Sequence, residues 1–414
     1  MDPIHICGGY SLDGETWVQG SKNAVLPILA AAVLTDGITT LTHCPRIADV
    51  HCMLRLLRSI GCMVEWTDGR IVIDARQITS VSLPEEYVTR MRSSVILMGA
   101  VLGRKRRVTI SYPGGCVIGK RPIDMHLKAF SHMGVQLCEN GNALTAWTKR
   151  LVGSEIALPF PSVGATENVI LASVLAEGES VIRGAAREPE IEALCDFLVC
   201  AGADIVREED GGTIRIRGVE RLHSCTYRIP ADRIVAGTYL LGCMAAGGRI
   251  RLRGTDAGAL GAVLDTIRQM GGECECGAAE ITLTAPERPR AVPYIRTAVY
   301  PGYPTDLQSQ LLAALAVADG DSVVEETIFE NRYRVVPELC KMGADIQIEE
   351  KKAVIRGVRE LRGCAVTAQE LRGGAALCMA ALAAKGDTYI GNRHFIDRGY
   401  EALETDIRSL GGRI

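Results

Sequence analysis

A chain of 414 residues, 47% hydrophobic and 23% charged, exceeds what one hydrophobic core usually organises, so it predicts two domains or three of ordinary globular protein and excludes a disordered or fibrous chain. A formal net charge of −3 supplies no global basic field for nucleic acid or an anionic membrane, so any anion must be met locally. The longest apolar run, 24–34, is interrupted by Pro27 and falls short of the roughly 18 residues that a membrane helix needs.

The N-terminus shows no basic stretch followed by an apolar core, so no secretory signal is expected and the protein is placed in the cytosol. Fifteen cysteines, an odd number with no Cys-x-x-Cys pair, suit a reducing compartment. The pairs His43-Cys44 and His51-Cys52 match no usual zinc spacing.

In chain order, Ala-rich helices that end in glycine are expected at 26–37, 95–103, 169–178, 235–247, 307–320 and 375–386. Each is followed by a second helix that closes on an apolar residue and glycine: Ile60-Gly61, Met133-Gly134, Ala201-Gly202, Met270-Gly271, Met342-Gly343 and Leu410-Gly411. These glycines are 73, 68, 69, 72 and 68 residues apart. Five of them precede a strand, a turn and a strand, as in Asp204-Ile205-Val206 and Thr213-Ile214-Arg215-Ile216, whereas the sixth copy stops almost at its glycine. Each unit therefore reads β-α-β-α-β-β, and six such repeats imply sheets carrying helices, an α/β or α+β class. They divide three and three, at about Ser21 to Ile229 and from Pro230 onward. No Gly/Ser-rich linker marks the join, so a short or paired hinge is expected.

A helix N-terminus disfavours cations, yet Lys22, Arg92, Arg233 and Arg372 each open a first helix, and Arg46, Arg121, Arg187, Arg332 and Arg398 lie 11 to 15 residues before a repeat glycine. That combination makes sense where a small, heavily charged anion is held. The segment Tyr112-Pro113-Gly114-Gly115-Cys116-Val117-Ile118-Gly119-Lys120-Arg121-Pro122 only superficially resembles a nucleotide-binding P-loop, because Arg121 stands where a magnesium-binding hydroxyl is required. Its glycines make it pliable, Pro122 suits the first position of the next helix, and Lys120 and Arg121 beside Cys116 favour a reactive thiolate. Asp306, in the first turn of a helix, is a candidate base; Glu188 and Glu190 are read as ion-pair partners for the arginines.

Gly20-Ser21-Lys22-Asn23, Pro113-Gly114-Gly115-Cys116 with Arg121-Pro122-Ile123-Asp124, and Gly164-Ala165-Thr166-Glu167-Asn168 together resemble the UDP-N-acetylglucosamine enolpyruvyl transferases. Pro301-Gly302-Tyr303-Pro304-Thr305-Asp306, Phe329-Glu330-Asn331-Arg332, Leu371-Arg372 and Ile396-Asp397-Arg398-Gly399-Tyr400-Glu401 agree in order and spacing. The resemblance spans the chain, and the cysteine loop separates it from the related shikimate-handling transferases.

The resemblance implies a two-domain inside-out α/β barrel, with domains at 22–229 and at 1–21 plus 230–414, that closes around its substrates. It implies transfer of the enolpyruvyl group of phosphoenolpyruvate to the 3-hydroxyl of UDP-N-acetylglucosamine, the first committed step of peptidoglycan synthesis, with no metal or organic cofactor. Lys22, Arg121 and Arg398 would hold the phosphate of phosphoenolpyruvate, and Arg332 and Arg372 its carboxylate. Asn23, Arg92, Arg121, Pro122, Ile123, Asp124, Met125, Ser162, Val163, Asp306 and Ile328 would line the UDP-sugar site. Asp306 would act as the base, and Cys116 as the acid at the enol methylene, the site of a covalent adduct and the target of fosfomycin. Phe160-Pro161 stands where some relatives carry a basic residue, and the chain ends just past its sixth repeat glycine, so an incomplete last strand is expected. A ring-shaped DNA sliding clamp also uses six α/β units, but needs a basic lining that this charge does not supply.

Overall fold

The computed structural model describes residues 2–67, 69–114, 118–119 and 122–414. They form two compact units, one of residues 20–114 with 122–230, the other of residues 2–19, 118–119 and 231–414. No helix is long and apolar enough to cross a membrane.

The repeat glycines explain the regularity of both units. All six have positive φ, between +83° and +106°, a conformation that a side chain disfavours. At each, the second helix closes with the same pair of bonds: Gly61 N donates to Arg58 O and Cys62 N to Leu57 O, and so on to Gly411 N on Arg408 O and Gly412 N on Ile407 O. This C-cap satisfies the last carbonyls of the helix and turns the chain into the next strand.

In the unit containing 20–230, Ile38–Thr42 lies between Cys225–Arg228 and the hairpin Met63–Thr67/Arg70–Asp74. Arg107–Ser111 pairs with the hairpin Gln136–Asn140/Ala143–Trp147, and Glu179–Arg183 lies between Glu155–Ala157 and the hairpin Asp204–Arg207/Thr213–Arg217. Strand faces alternate between buried and open positions, whereas the first helices Lys22–Ala31, Leu97–Lys105 and Val163–Ser173 are buried almost throughout. Helices apolar on every side belong at the centre, so the sheets lie outside them.

The other unit repeats the plan around Arg233–Ala246, Gln308–Leu315 and Leu371–Ala383, which pack on one another. Its last sheet is completed from the far end of the sequence: Ile4–Gly8 pairs antiparallel with Gly386–Gly391, and Cys7 bridges Arg413. The N-terminal strand thus stands where the other copies place a hairpin strand, and the expected incomplete edge is filled. Leu12–Trp17 likewise runs parallel to Gly248–Arg253. Among the described residues there are six sheets, all open and of three or four strands; none closes on itself there, so "barrel" describes sheets arranged around helices.

The helices expected to open at Lys22 and Arg233 start at those residues, and the helix at Val163 starts earlier than its apolar run suggests. Ser21 Oγ accepts from Ala24 N, Ser162 Oγ from Ala165 N, and Asp232 Oδ1 from Ile234 N and Val235 N. Each cap lies upstream of the apolar pattern, so the helices start at Lys22, Val163 and Arg233. None of the three has an acidic residue in its first turn.

Candidate active site

In the unit containing 20–230, Lys22 opens its helix and its Nζ lies 3.1 Å from Asp49 Oδ2, both largely buried. Asn23 follows on the same turn. Arg92 opens the 3-10 turn Arg92–Ile96, half-buried. Pro122 is exposed and Ile123 buried; the helix there opens at Asp124, two residues later than the proline suggests, because Ile123 is the N-cap. Asp124 is exposed and pairs weakly with Lys128, and Met125 is half-buried. Ser162 caps the helix that Val163 begins. Cys116 and Arg121 lie outside the described residues.

Two expected anion ligands have local roles instead. Arg46 stacks its guanidinium 4.9 Å from the ring centre of Trp66, and Arg187 is exposed against Gly211, with Asp210 close enough to feel its charge. Both are explained as surface cations settled on a neighbour. The His43-Cys44/His51-Cys52 patch forms no ligand set either: His43 Nδ1 meets Ile229 O and Cys52 Sγ donates to Tyr87 O. Among the described residues no cluster of three metal-binding side chains occurs.

The other unit gathers charges that are distant in sequence. Arg332 Nη2 donates to Asp306 Oδ1 (2.7 Å), and Arg372 Nη2 and Nε donate to Asp306 Oδ2 (3.0 and 3.3 Å). Arg332 Nε also donates to Thr305 O. The arginine side chains are 2% and 3% exposed, the carboxylate 27%. Thus the two guanidiniums expected on a substrate carboxylate lie on the carboxylate of Asp306, the expected base. The physical reason is plain: two cations so deeply buried need an anion. Burial opposes the Arg372 charge, but Asp306, Tyr400 and Asp232 outweigh it and hold the pKa above the ordinary arginine value. The buried Arg372 guanidinium also interacts with the hydroxyl of buried Tyr400, which is held in turn by Thr238.

Around this cluster sit carboxylates that sequence reasoning did not single out. Glu370 caps its helix by accepting from Arg372 N (2.8 Å) and Gly373 N, with its Oε2 3.9 Å from Arg332 Nη1. Buried Glu326 accepts from Ile328 N, Phe329 N and Thr305 Oγ1, which fixes Ile328 and the turn before Asp306. Glu326 directly follows Glu325 at the end of the strand Asp321–Glu325, so nothing local to the sequence sets it apart. Arg398 ends the turn Arg393–Arg398 and is half-buried. Ile118 O accepts from Asn331 N (2.9 Å), and Gly119 lies so near Glu330 that a Cβ would meet its carboxylate.

The profile of the EPSP synthase (3-phosphoshikimate 1-carboxyvinyltransferase) family matches residues 6–407. The chain is 45% identical over 414 residues to UDP-N-acetylglucosamine 1-carboxyvinyltransferase 2 of Caldanaerobacter subterraneus subsp. tengcongensis, covering 100% of this chain and 99% of that protein. It is 42% identical over 416 residues to UDP-N-acetylglucosamine 1-carboxyvinyltransferase of Acinetobacter baylyi, with the same coverage. Among solved structures, the enolpyruvyl transferase NikO from Streptomyces tendae superposes with a TM-score of 0.90 at 24% identity, covering 99% of this chain and 98% of that one. EPSP synthase from Acinetobacter baumannii gives 0.77 at 18% with equal coverage. At those identities the two structures speak for the fold.

Proposed function

The chain belongs to the enolpyruvyl transferase family, and from that premise we propose that it is a cytoplasmic enzyme that transfers the enolpyruvyl group of phosphoenolpyruvate to the 3-hydroxyl of UDP-N-acetylglucosamine, with release of inorganic phosphate. The observation that carries the choice of acceptor is likeness along the whole chain, at 45% and 42% identity, to proteins named for the UDP-sugar reaction.

The chemistry distributes over the candidate residues. Cys116 protonates the enol methylene, which leaves an oxocarbenium-like carbon bearing carboxylate and phosphate. Asp306 takes the proton of the sugar 3-hydroxyl and the oxygen adds to that carbon. Loss of a methyl proton and of phosphate from the tetrahedral intermediate then restores the enol ether. Lys22, Arg121 and Arg398 neutralise the phosphate as it leaves; Arg332 and Arg372 receive the carboxylate, for which Asp306 stands in meanwhile. Asn23, Arg92, Pro122, Ile123, Asp124, Met125, Ser162, Val163 and Ile328 bind the UDP-sugar.

The test is product identification by mass spectrometry after incubation with phosphoenolpyruvate and, in parallel, UDP-N-acetylglucosamine or shikimate 3-phosphate. An enolpyruvyl ether of the UDP-sugar is expected. Modification of the shikimate ester alone would overturn the assignment in favour of the reaction after which the family profile is named.

A further inference from the structure

Three of the segments assigned above to the UDP-sugar belong to different helices, and a single buried amide joins them. Asn168, fully buried in the helix Val163–Ser173, accepts at Oδ1 from Gly99 N (2.7 Å). Its Nδ2 lies 3.0 Å from Val95 O and 2.7 Å from His126 Nδ1. The orientation of this amide is determined. A backbone N–H can only donate, so the oxygen faces Gly99; the NH2 then faces Val95 O and His126, whose Nδ1 must accept, so neutral His126 carries its proton on Nε2.

The sequence neighbours of these contacts give them meaning. Val95 lies three residues after Arg92 within one 3-10 turn, His126 directly follows Met125, and Asn168 lies six residues, about 9 Å of helix, beyond the cap at Ser162. Gly99 permits the approach, since a Cβ there would meet Asn168 O. Both hydrogens of the amide and its oxygen are thus committed to holding Arg92–Ile96, Asp124–Met125 and Ser162–Val163 at fixed spacing.

We propose that Asn168, through His126, is a positioning residue for the UDP-sugar: it touches no reacting atom but sets the distances between the three segments that grip the acceptor. The inference rests on the functional reading above. A misplacement of the order of an ångström is costly in binding and turnover, so loss of the amide should weaken recognition of the UDP-sugar selectively.

The experiment compares KM for the two substrates in the full chain. Asn168→Leu, of similar volume, is expected to raise KM for UDP-N-acetylglucosamine about 10-fold or more while KM for phosphoenolpyruvate stays within about twofold. Asn168→Asp keeps the acceptor for Gly99 N and can take a hydrogen bond from a protonated His126 but loses the donor to Val95 O, so it should recover part of the loss, and His126→Leu in that background should abolish the recovery. A merely structural role would move both KM values together and give no His126-dependent rescue; that result, or unchanged KM for the UDP-sugar, overturns the proposal. Should Asn168→Leu fail to fold, the comparison of Asn168→Asp with and without His126→Leu decides alone. If the wild-type protein does not use UDP-N-acetylglucosamine, the functional reading fails by itself. Amide exchange at 92–96 and 163–166 then judges the positioning: faster exchange in Asn168→Asp/His126→Leu than in Asn168→Asp supports it, and equal exchange refutes it.

Discussion

Replacing Asp306 with alanine removes the one carboxylate among the described residues that both Arg332 and Arg372 contact within ordinary hydrogen-bonding distance. Two guanidiniums that are 2% and 3% exposed would then face each other across a space the size of a carboxyl group. Removing one partner of a buried pair costs about 3–5 kcal/mol. Here the lower end is expected, because Glu370 remains 3.9 Å from Arg332 and Asp232 still acts on Arg372. A loss of about 3 kcal/mol should show in urea as a lower midpoint with unchanged slope for the unit containing 231–414. The vacated guanidiniums should also accept a substrate carboxylate better. Phosphoenolpyruvate alone should therefore raise the melting temperature of Asp306→Ala by more than it raises that of the wild type, although turnover falls by about 10²–10⁴ for want of the base. A variant within about 0.5 kcal/mol of wild type, within the usual range of surface substitutions, or one insensitive to phosphoenolpyruvate, would refute the reasoning.

Other outcomes follow from single sites. Gly343→Ala meets nothing within 4 Å at φ +95°, so it should cost only the backbone term of about 1 kcal/mol, whereas Gly61→Ala also strikes Gln77 O and Thr79 Oγ1 and should cost more; equal losses in denaturant melts would contradict the capping account. Asp406, which accepts from Tyr239 and Thr16, has its pKa raised, chiefly by burial. Its folded-state proton is therefore held more tightly than in the unfolded chain, and the associated stability is present below about pH 3.9 and lost as pH rises through the folded pKa. Wild type should thus lose melting temperature relative to Asp406→Asn as pH is raised from about 4, and parallel curves would rule this out. Cys116→Ala should abolish turnover and labelling by an epoxide phosphonate such as fosfomycin, while Cys116→Asp should retain proton donation without labelling. Full activity of the alanine variant, followed by phosphate release, would remove the cysteine from the mechanism.

The repeat was legible because its marker has a fixed chemical cause: a residue with positive φ that closes a helix favours glycine, so six glycines announce six caps. The helix starts at Lys22 and Arg233 were legible from the cations that open them, whereas the start at Val163 carries no such cation and its cap Ser162 lies outside the apolar pattern. The sixth sheet was misread as incomplete because its missing strand, Ile4–Gly8, comes from the opposite end of the chain, and no local signal reports such pairing. At the site, Asp306, Arg332 and Arg372 could each be named from motifs, but their mutual ion pairs span 26 and 66 residues and were invisible. Glu326, Glu370 and Asn168 were passed over for a related reason: a polar residue in a buried position is a signal only once burial is known.

The central claim is that this chain moves an enolpyruvyl group onto a UDP-sugar, and inorganic phosphate reports it most directly. Purified protein given phosphoenolpyruvate should release phosphate steadily when UDP-N-acetylglucosamine is present and stop when it is omitted. Release that ignores the UDP-sugar, or no release with it, would contradict the account.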